Sequence, residues 1–100
     1  MELLQLLKNE LLQLLKNELF ITWDDVETTE RLVRIISNAI PTMNYKLGAN
    51  IDYSINGMEQ TLFLNYCVYY YNNCVEEFDN NYLHEINQIR LFYEVNNEKK

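Results

Sequence analysis

The chain has 100 residues, a formal net charge of −7 and a sequence pI of about 4.5, with two glycines, one proline and 48% apolar residues. At this length one domain with a modest core is the ceiling. Turn residues are too scarce for a sheet-rich fold, and Gly48 and Gly57 stand alone, so no phosphate-cradling loop is present. An acidic surface repels phosphate instead of gripping nucleic acid, and 13% aromatic residues is too many for a solvated, disordered chain.

The chain order begins with a duplication. Residues 2–9 read ELLQLLKN, and residues 10–17 read ELLQLLKN again. Two copies of eight residues are a tandem duplication and not a repeat architecture, which needs longer units and more of them. Both copies are strong helix formers, so residues 2–20 are predicted as one helix. The charges of Glu2 and Lys8 and the missing small-residue cleavage site do not fit a signal peptide. No run of eighteen apolar residues is available to span a membrane. Eight residues make about 2.2 turns, so the second copy is rotated by roughly 80° from the first. The stripe of Leu3, Leu7, Leu11, Leu15 and Leu19 therefore winds around the helix. One partner surface cannot cover it all, and the surplus is expected to meet another subunit or solvent.

Thr22-Trp23-Asp24-Asp25 reads as the start of a second helix, over 24–47, with Thr22 or Asp25 as cap. Its inward face is Leu32, Ile36, Ala39/Ile40, Met43 and Leu47. Pro41 removes a donor and crowds the Ser37 carbonyl, which predicts a kink or break near Ile40. Gly48 supplies the stop. Residues 48–57 form the one long loop, and Asn56-x-x-Glu59 resembles a capping box.

A third helix is predicted over 58–78. TLFLNYCVYYY is rich in strand formers, but a polar stripe of Asn65, Asn72 and Glu76 opposes Phe63, Cys67, Tyr70, Cys74 and Phe78 at helical spacing. Its polar stripe is narrow, so this helix is expected to be the central, most buried one. Cys67 and Cys74, seven residues apart on it, would lie roughly 10 Å apart, too far for a disulfide. Asp79-Asn80-Asn81 marks a turn, and a fourth helix over 82–95 places Leu83, Ile86, Ile89/Arg90 and Tyr93 inward. Residues 96–100 read as a solvated tail. The fold class expected is an all-α bundle of about four helices in a single domain.

No catalytic constellation emerges. His84 joins no zinc-ligand spacing with Cys67 or Cys74, and a Cys–His pair lacks an orienting group. Glu76, Glu77 and Asp79 read as a solvated helix end. The chain is accordingly expected to need no cofactor or metal. Tyr66, Tyr69, Tyr70, Tyr71, Tyr82 and Tyr93 fit both core packing and a subunit contact. Stacking on nucleic acid is disfavoured because residues 48–89 hold no Lys or Arg. The candidate interface residues are Leu3, Leu7, Leu11, Leu15, Tyr66 and Tyr69.

From Thr22 onward, about three-quarters of the chain resembles the head–tail connector (adaptor) proteins of long-tailed bacteriophages and prophages. The resemblance rests on Thr22-Trp23-Asp24-Asp25, on Arg31-Leu32-Val33-Arg34-Ile35-Ile36, and on Lys46-Leu47-Gly48-Ala49 before an acidic loop. Its most specific stretch is LFLNYCVYYYNN at 62–73, running into Glu76-Glu77-Phe78 and Asn81-Tyr82, and IRLFYEV at 89–95 fits as well. It implies a non-enzymatic virion subunit of the neck region, made in the bacterial host cytoplasm. Such subunits form a closed ring of about twelve copies between the portal protein and a stopper or tail-completion protein, and DNA passes through the centre. Neither sequence-specific nucleic-acid binding nor a membrane contact is implied. Pro41 and the duplicated octapeptide depart from the family's pattern. The rival reading of the same acidic, apolar helices is a small regulatory binding protein, an antitoxin or inhibitor that masks a basic partner.

Overall fold

The duplicated octapeptides, free of β-branched residues, form helix α1 over Glu2–Glu18. In this computed structural model residues 2–23 and 25–98 are described, with side chains at 8–23 and 25–95. The helix stops two residues before the expected Phe20. The Ile21 N–H bonds the Lys16 carbonyl at 2.9 Å and the Phe20 N–H bonds Asn17 at 3.2 Å. This pair of bonds is a Schellman ending, and it puts Phe20 at φ 58°.

Helix α2, Val26–Leu47, begins at Asp25. One carboxylate oxygen of Asp25 accepts from the Thr28 N–H at 3.0 Å and from the Thr28 hydroxyl at 2.6 Å. Thr28 thus ties down both its own N–H and its hydroxyl at a helix start. The helix is not broken at Pro41, which lies inside it. The next residue, Thr42, donates its hydroxyl to the Asn38 carbonyl, one turn back, at 3.0 Å. Gly48, at φ 76°, closes the helix by donating to Asn44 at 2.9 Å. Leu32, Ile36, Ala39, Met43 and Leu47 are buried as their spacing requires, and Ile35 joins them.

The loop that follows is anchored by an aromatic side chain. Tyr53 is buried, stacks on Phe63 with ring centres 4.4 Å apart, and donates its hydroxyl to the Asn44 side chain at 2.9 Å. The Gln60 amide donates to the Tyr53 carbonyl at 3.0 Å. The expected capping box does not form. Gly57 precedes α3, Met58–Tyr71, and no side chain caps it; Glu59 instead accepts from the Tyr93 hydroxyl at 2.7 Å.

The third helix is shorter than its periodicity suggested. It ends at Tyr71 and not Phe78, because Asn73 takes up φ 60° and the Cys74 N–H turns back to the Tyr69 carbonyl at 2.9 Å. A 3-10 turn at Val75–Glu77 and a short helix α4, Phe78–Asn81, follow, and then α5 over Leu83–Glu98. Five helices therefore replace the expected four, and no strand occurs among the described residues. Helical residues 96–98 lie in the segment expected to be tail.

The reversal has a clear driving force. On a continuous helix Phe78 would lie about 13 Å from Tyr69. After the turn its ring centre is 5.6 Å from Tyr69, 5.1 Å from Tyr66 and 4.8 Å from Tyr82, and Phe78 is fully buried. Aromatic burial of this kind outweighs the few helical bonds lost at 72–74. Helix α2 packs against α1, α3 and α5, and α3 packs against α1, α2 and the 3-10 turn, with Tyr66 and Tyr69 also meeting Phe78 of α4. Six of the fourteen α3 residues are buried against six of twenty-two in α2, so α3 is the more deeply buried of the two. The overall extents are 46 × 33 × 19 Å.

Candidate interaction surfaces

Which apolar side chains remain outside the core decides where this subunit can bind. The leucine stripe does not supply them. Leu11 and Leu15 are fully buried against the rest of the chain, which corrects their assignment to a subunit contact. Winding of the stripe is absorbed by packing α1 against both α2 and α3. The side chains of Leu3 and Leu7 lie outside the described residues. Tyr66 is likewise interior, edge-on to Phe78. Tyr69 is half-buried between Phe78 and Tyr82, and its hydroxyl accepts from the Asn81 amide at 2.9 Å.

Exposed apolar side chains gather elsewhere. At the corner between α1 and α2, Phe20 is 86% exposed, Val26 72% and Trp23 54%. The second face belongs to α5 and the start of α3. Met58, Glu59, Gln88, Ile89 and Phe92 line a groove of about 390 Å³. Ile89 is its buried residue, Met58 and Phe92 are more than half exposed, and Leu91 and Val95 continue the apolar surface along α5.

These two faces lie at opposite ends of α2. Val26 opens that helix. Its far end is held to α5, where Arg90 donates to the Lys46 carbonyl at 3.4 Å, and α5 is held to the start of α3 by the Tyr93–Glu59 bond. Twenty residues of helix separate Val26 from Lys46, or about 30 Å. Period analysis put Leu83 inward, yet it is 55% exposed, whereas Ile86 and Ile89 are buried as expected. The exposure of Phe20 and Trp23 carried no periodic signal, since both lie between helices.

The cations near these faces have internal partners. Lys46 bridges to both Asp79 oxygens at 2.8 and 2.9 Å. Arg31 lies 4.5 Å from the Tyr71 ring centre and donates to the Tyr71 carbonyl at 3.1 Å, closing the end of α3. Among the described residues that line the groove, only Glu59 is charged. Burial, followed by the Glu59 carboxylate that accepts its hydrogen bond, pushes the Tyr93 hydroxyl up to about 12, so it stays a donor at neutral pH. Burial also pushes the Cys67 thiol up to about 12. Its sulfur is therefore protonated and enclosed, which disqualifies it as a nucleophile. Cys74 is half-buried, and both cysteines are unpaired thiols. His84 is exposed, and no three metal-ligating side chains converge among the described residues. Nor is any helix among them long and apolar enough to cross a membrane.

The described surface of this acidic helical chain thus carries two apolar faces. Comparison of the chain with protein-family models, with curated proteins and with solved structures finds no match.

Proposed function

We propose that this chain is a structural subunit of a phage or prophage neck, a head–tail connector that assembles into a ring beneath the portal. The reading draws on the residue patterns from Thr22 to Val95 and on the all-helical fold. One observation carries it furthest: a single small subunit displays two different apolar faces about 30 Å apart. A ring built by rotation needs this arrangement, because each copy must offer unlike surfaces to its two neighbours. A portal on one side and a stopper or tail-completion protein on the other would complete the assembly. The role is non-enzymatic, and the net charge of −7 would let DNA pass through the ring without adhering.

The test is binding to the portal protein of the phage or prophage that encodes this chain, read by co-purification and electron microscopy. A ring seated on the portal is the expected result, and failure to bind it overturns the reading. Tight binding of the purified ring to duplex DNA at physiological salt would refute the conduit role. The alternative, an acidic inhibitor of a basic partner, predicts a monomer or dimer that forms a small complex and never a ring.

A further inference from the structure

Phe20 is the most exposed large apolar residue among those described and has a left-handed backbone, φ 58°. Glycine takes that conformation freely, whereas any side chain with a Cβ is crowded in it. The turn itself does not require the ring. Its two closing bonds come from the N–H groups of Phe20 and Ile21, and Ile21 fills the core. Within one subunit the Phe20 side chain therefore costs stability and buries almost nothing. Its benefit has to come from another molecule.

We infer that Phe20 and Trp23 of one copy insert into the Met58–Ile89–Phe92 groove of the next copy. Size supports this occupant. An apolar cavity of about 150 Å³ takes one benzene ring, so the groove, at about 390 Å³, has room for two aromatic rings. Area supports it as well. The exposed parts of Phe20, Trp23 and Val26, together with Met58, Leu91, Phe92 and Val95, come to about 800 Å². That is the apolar share of one interface at the small end of the specific range, about 1,200–2,000 Å² in total. Each face supplies about half, so one knob and one groove make a single contact, and neither face is left over. The distance between them prevents a subunit from filling its own groove. The contact is thus head-to-tail and propagates from copy to copy.

Charge separates a second copy from a basic partner in the same groove. Asp25 and Glu27 flank the knob and Glu59 lines the groove, so copies repel at long range and are held by apolar contact. Added salt should strengthen their association by screening that repulsion, whereas it would weaken binding of a basic segment.

This inference rests on the self-association in the proposed function and names the contact responsible. The experiment is sedimentation equilibrium of the full chain up to about 1 mM, at about 0.05 and 0.5 M salt, with two variants. Phe20→Gly removes the knob and relieves the backbone, and Phe92→Glu blocks the groove at an exposed position. Wild-type mass should rise past dimer with concentration, and more steeply at high salt. Each variant alone should associate at least tenfold more weakly while keeping its helical circular dichroism. Mixed together they should form a one-to-one dimer and nothing larger, because only one knob and one groove remain intact. A wild type that stays monomeric throughout overturns the contact, as does a Phe20→Gly variant that assembles normally. Mixed variants that fail to pair also overturn it, and so does self-association weakened by salt, which would mean that the copies are held by opposite charges and not by an apolar contact. Portal binding by a chain that never self-associates would sink this contact and leave the connector role standing. Head-to-tail assembly without portal binding would do the reverse.

Discussion

Helices α1 and α3 finish with the same backbone device, a left-handed residue followed by an N–H that reaches back five residues, to Lys16 in one case and to Tyr69 in the other. At the end of α3 the left-handed residue is Asn73, a type that tolerates the conformation, and the reversal delivers Phe78 into a cage of Tyr66, Tyr69 and Tyr82. At the end of α1 the left-handed residue is itself an aromatic, and its ring faces solvent. The α3 turn serves the interior of the subunit. The α1 turn delivers Ile21 to that interior and holds the Phe20 ring outside it. Similar geometry can close a core or build a contact, depending on which position carries the aromatic.

The strongest way to break this contrast is Phe78→Ala. Loss of the central ring of the cage should cost about 3–5 kcal/mol, measured by urea denaturation, and a loss below about 1 kcal/mol would mean that the turn closes without it. Next comes Gly48, where α2 ends in the same left-handed region. No atom lies within 4 Å of a Cβ built there, so Gly48→Ala should cost roughly 0.5–1 kcal/mol, the strain of the left-handed backbone less the entropy of glycine. The opposite sign is expected at the matching position of α1. In dilute solution, where the subunit is alone, Phe20→Gly should gain roughly 0.5–1 kcal/mol, the relief of the left-handed backbone less the entropy of glycine. A thermal melt showing destabilisation would mean that the ring has an interior role after all.

A smaller effect belongs to the start of α2. The Thr28 hydroxyl, then the Thr28 N–H, hold the Asp25 carboxyl below its ordinary value of 3.8. A carboxyl lowered on folding stabilises the folded state above its unfolded value, and that contribution fades as the pH falls through the folded one. Melting temperatures followed downward from neutral pH should drop more for wild type than for Asp25→Ala once the pH passes below 3.8. Parallel curves would remove the cap from the account.

Legibility in the sequence followed periodicity and punctuation. Asp25 as a cap, Gly48 as a stop and the buried row from Leu32 to Leu47 were readable because each leaves a residue type at a fixed helical offset. The break after Tyr71 was not. Asn72-Asn73 is a weak stop, and Cys74, Phe78 and the acidic residues continue the helical spacing across it, so only contact with Tyr66 and Tyr69 reveals that the chain turns back. Tyr53 was missed because a lone aromatic in a loop has no period, although it lies on Phe63. The apolar faces inverted the expectation for a similar reason. A stripe that winds around α1 looks like surplus until two helices are found packed against it.

The duplicated octapeptide gives α1 an unusual relation to copying error. Identical eight-residue units stand at 2–9 and 10–17, and the second meets the core through Leu11, Leu12 and Leu15. Whichever unit replication slippage removes, the survivor is the one joined to Glu18, so it inherits the buried position with the same side chains. Each unit gained or lost changes the helix length by about 12 Å and rotates whatever precedes it by roughly 80°, while the register from Glu10 onward is preserved. A chain lacking residues 2–9 should accordingly unfold in one cooperative transition when followed by urea denaturation. Gain or loss of a whole unit therefore leaves the side chains that Leu11, Leu12 and Leu15 supply to the core unchanged.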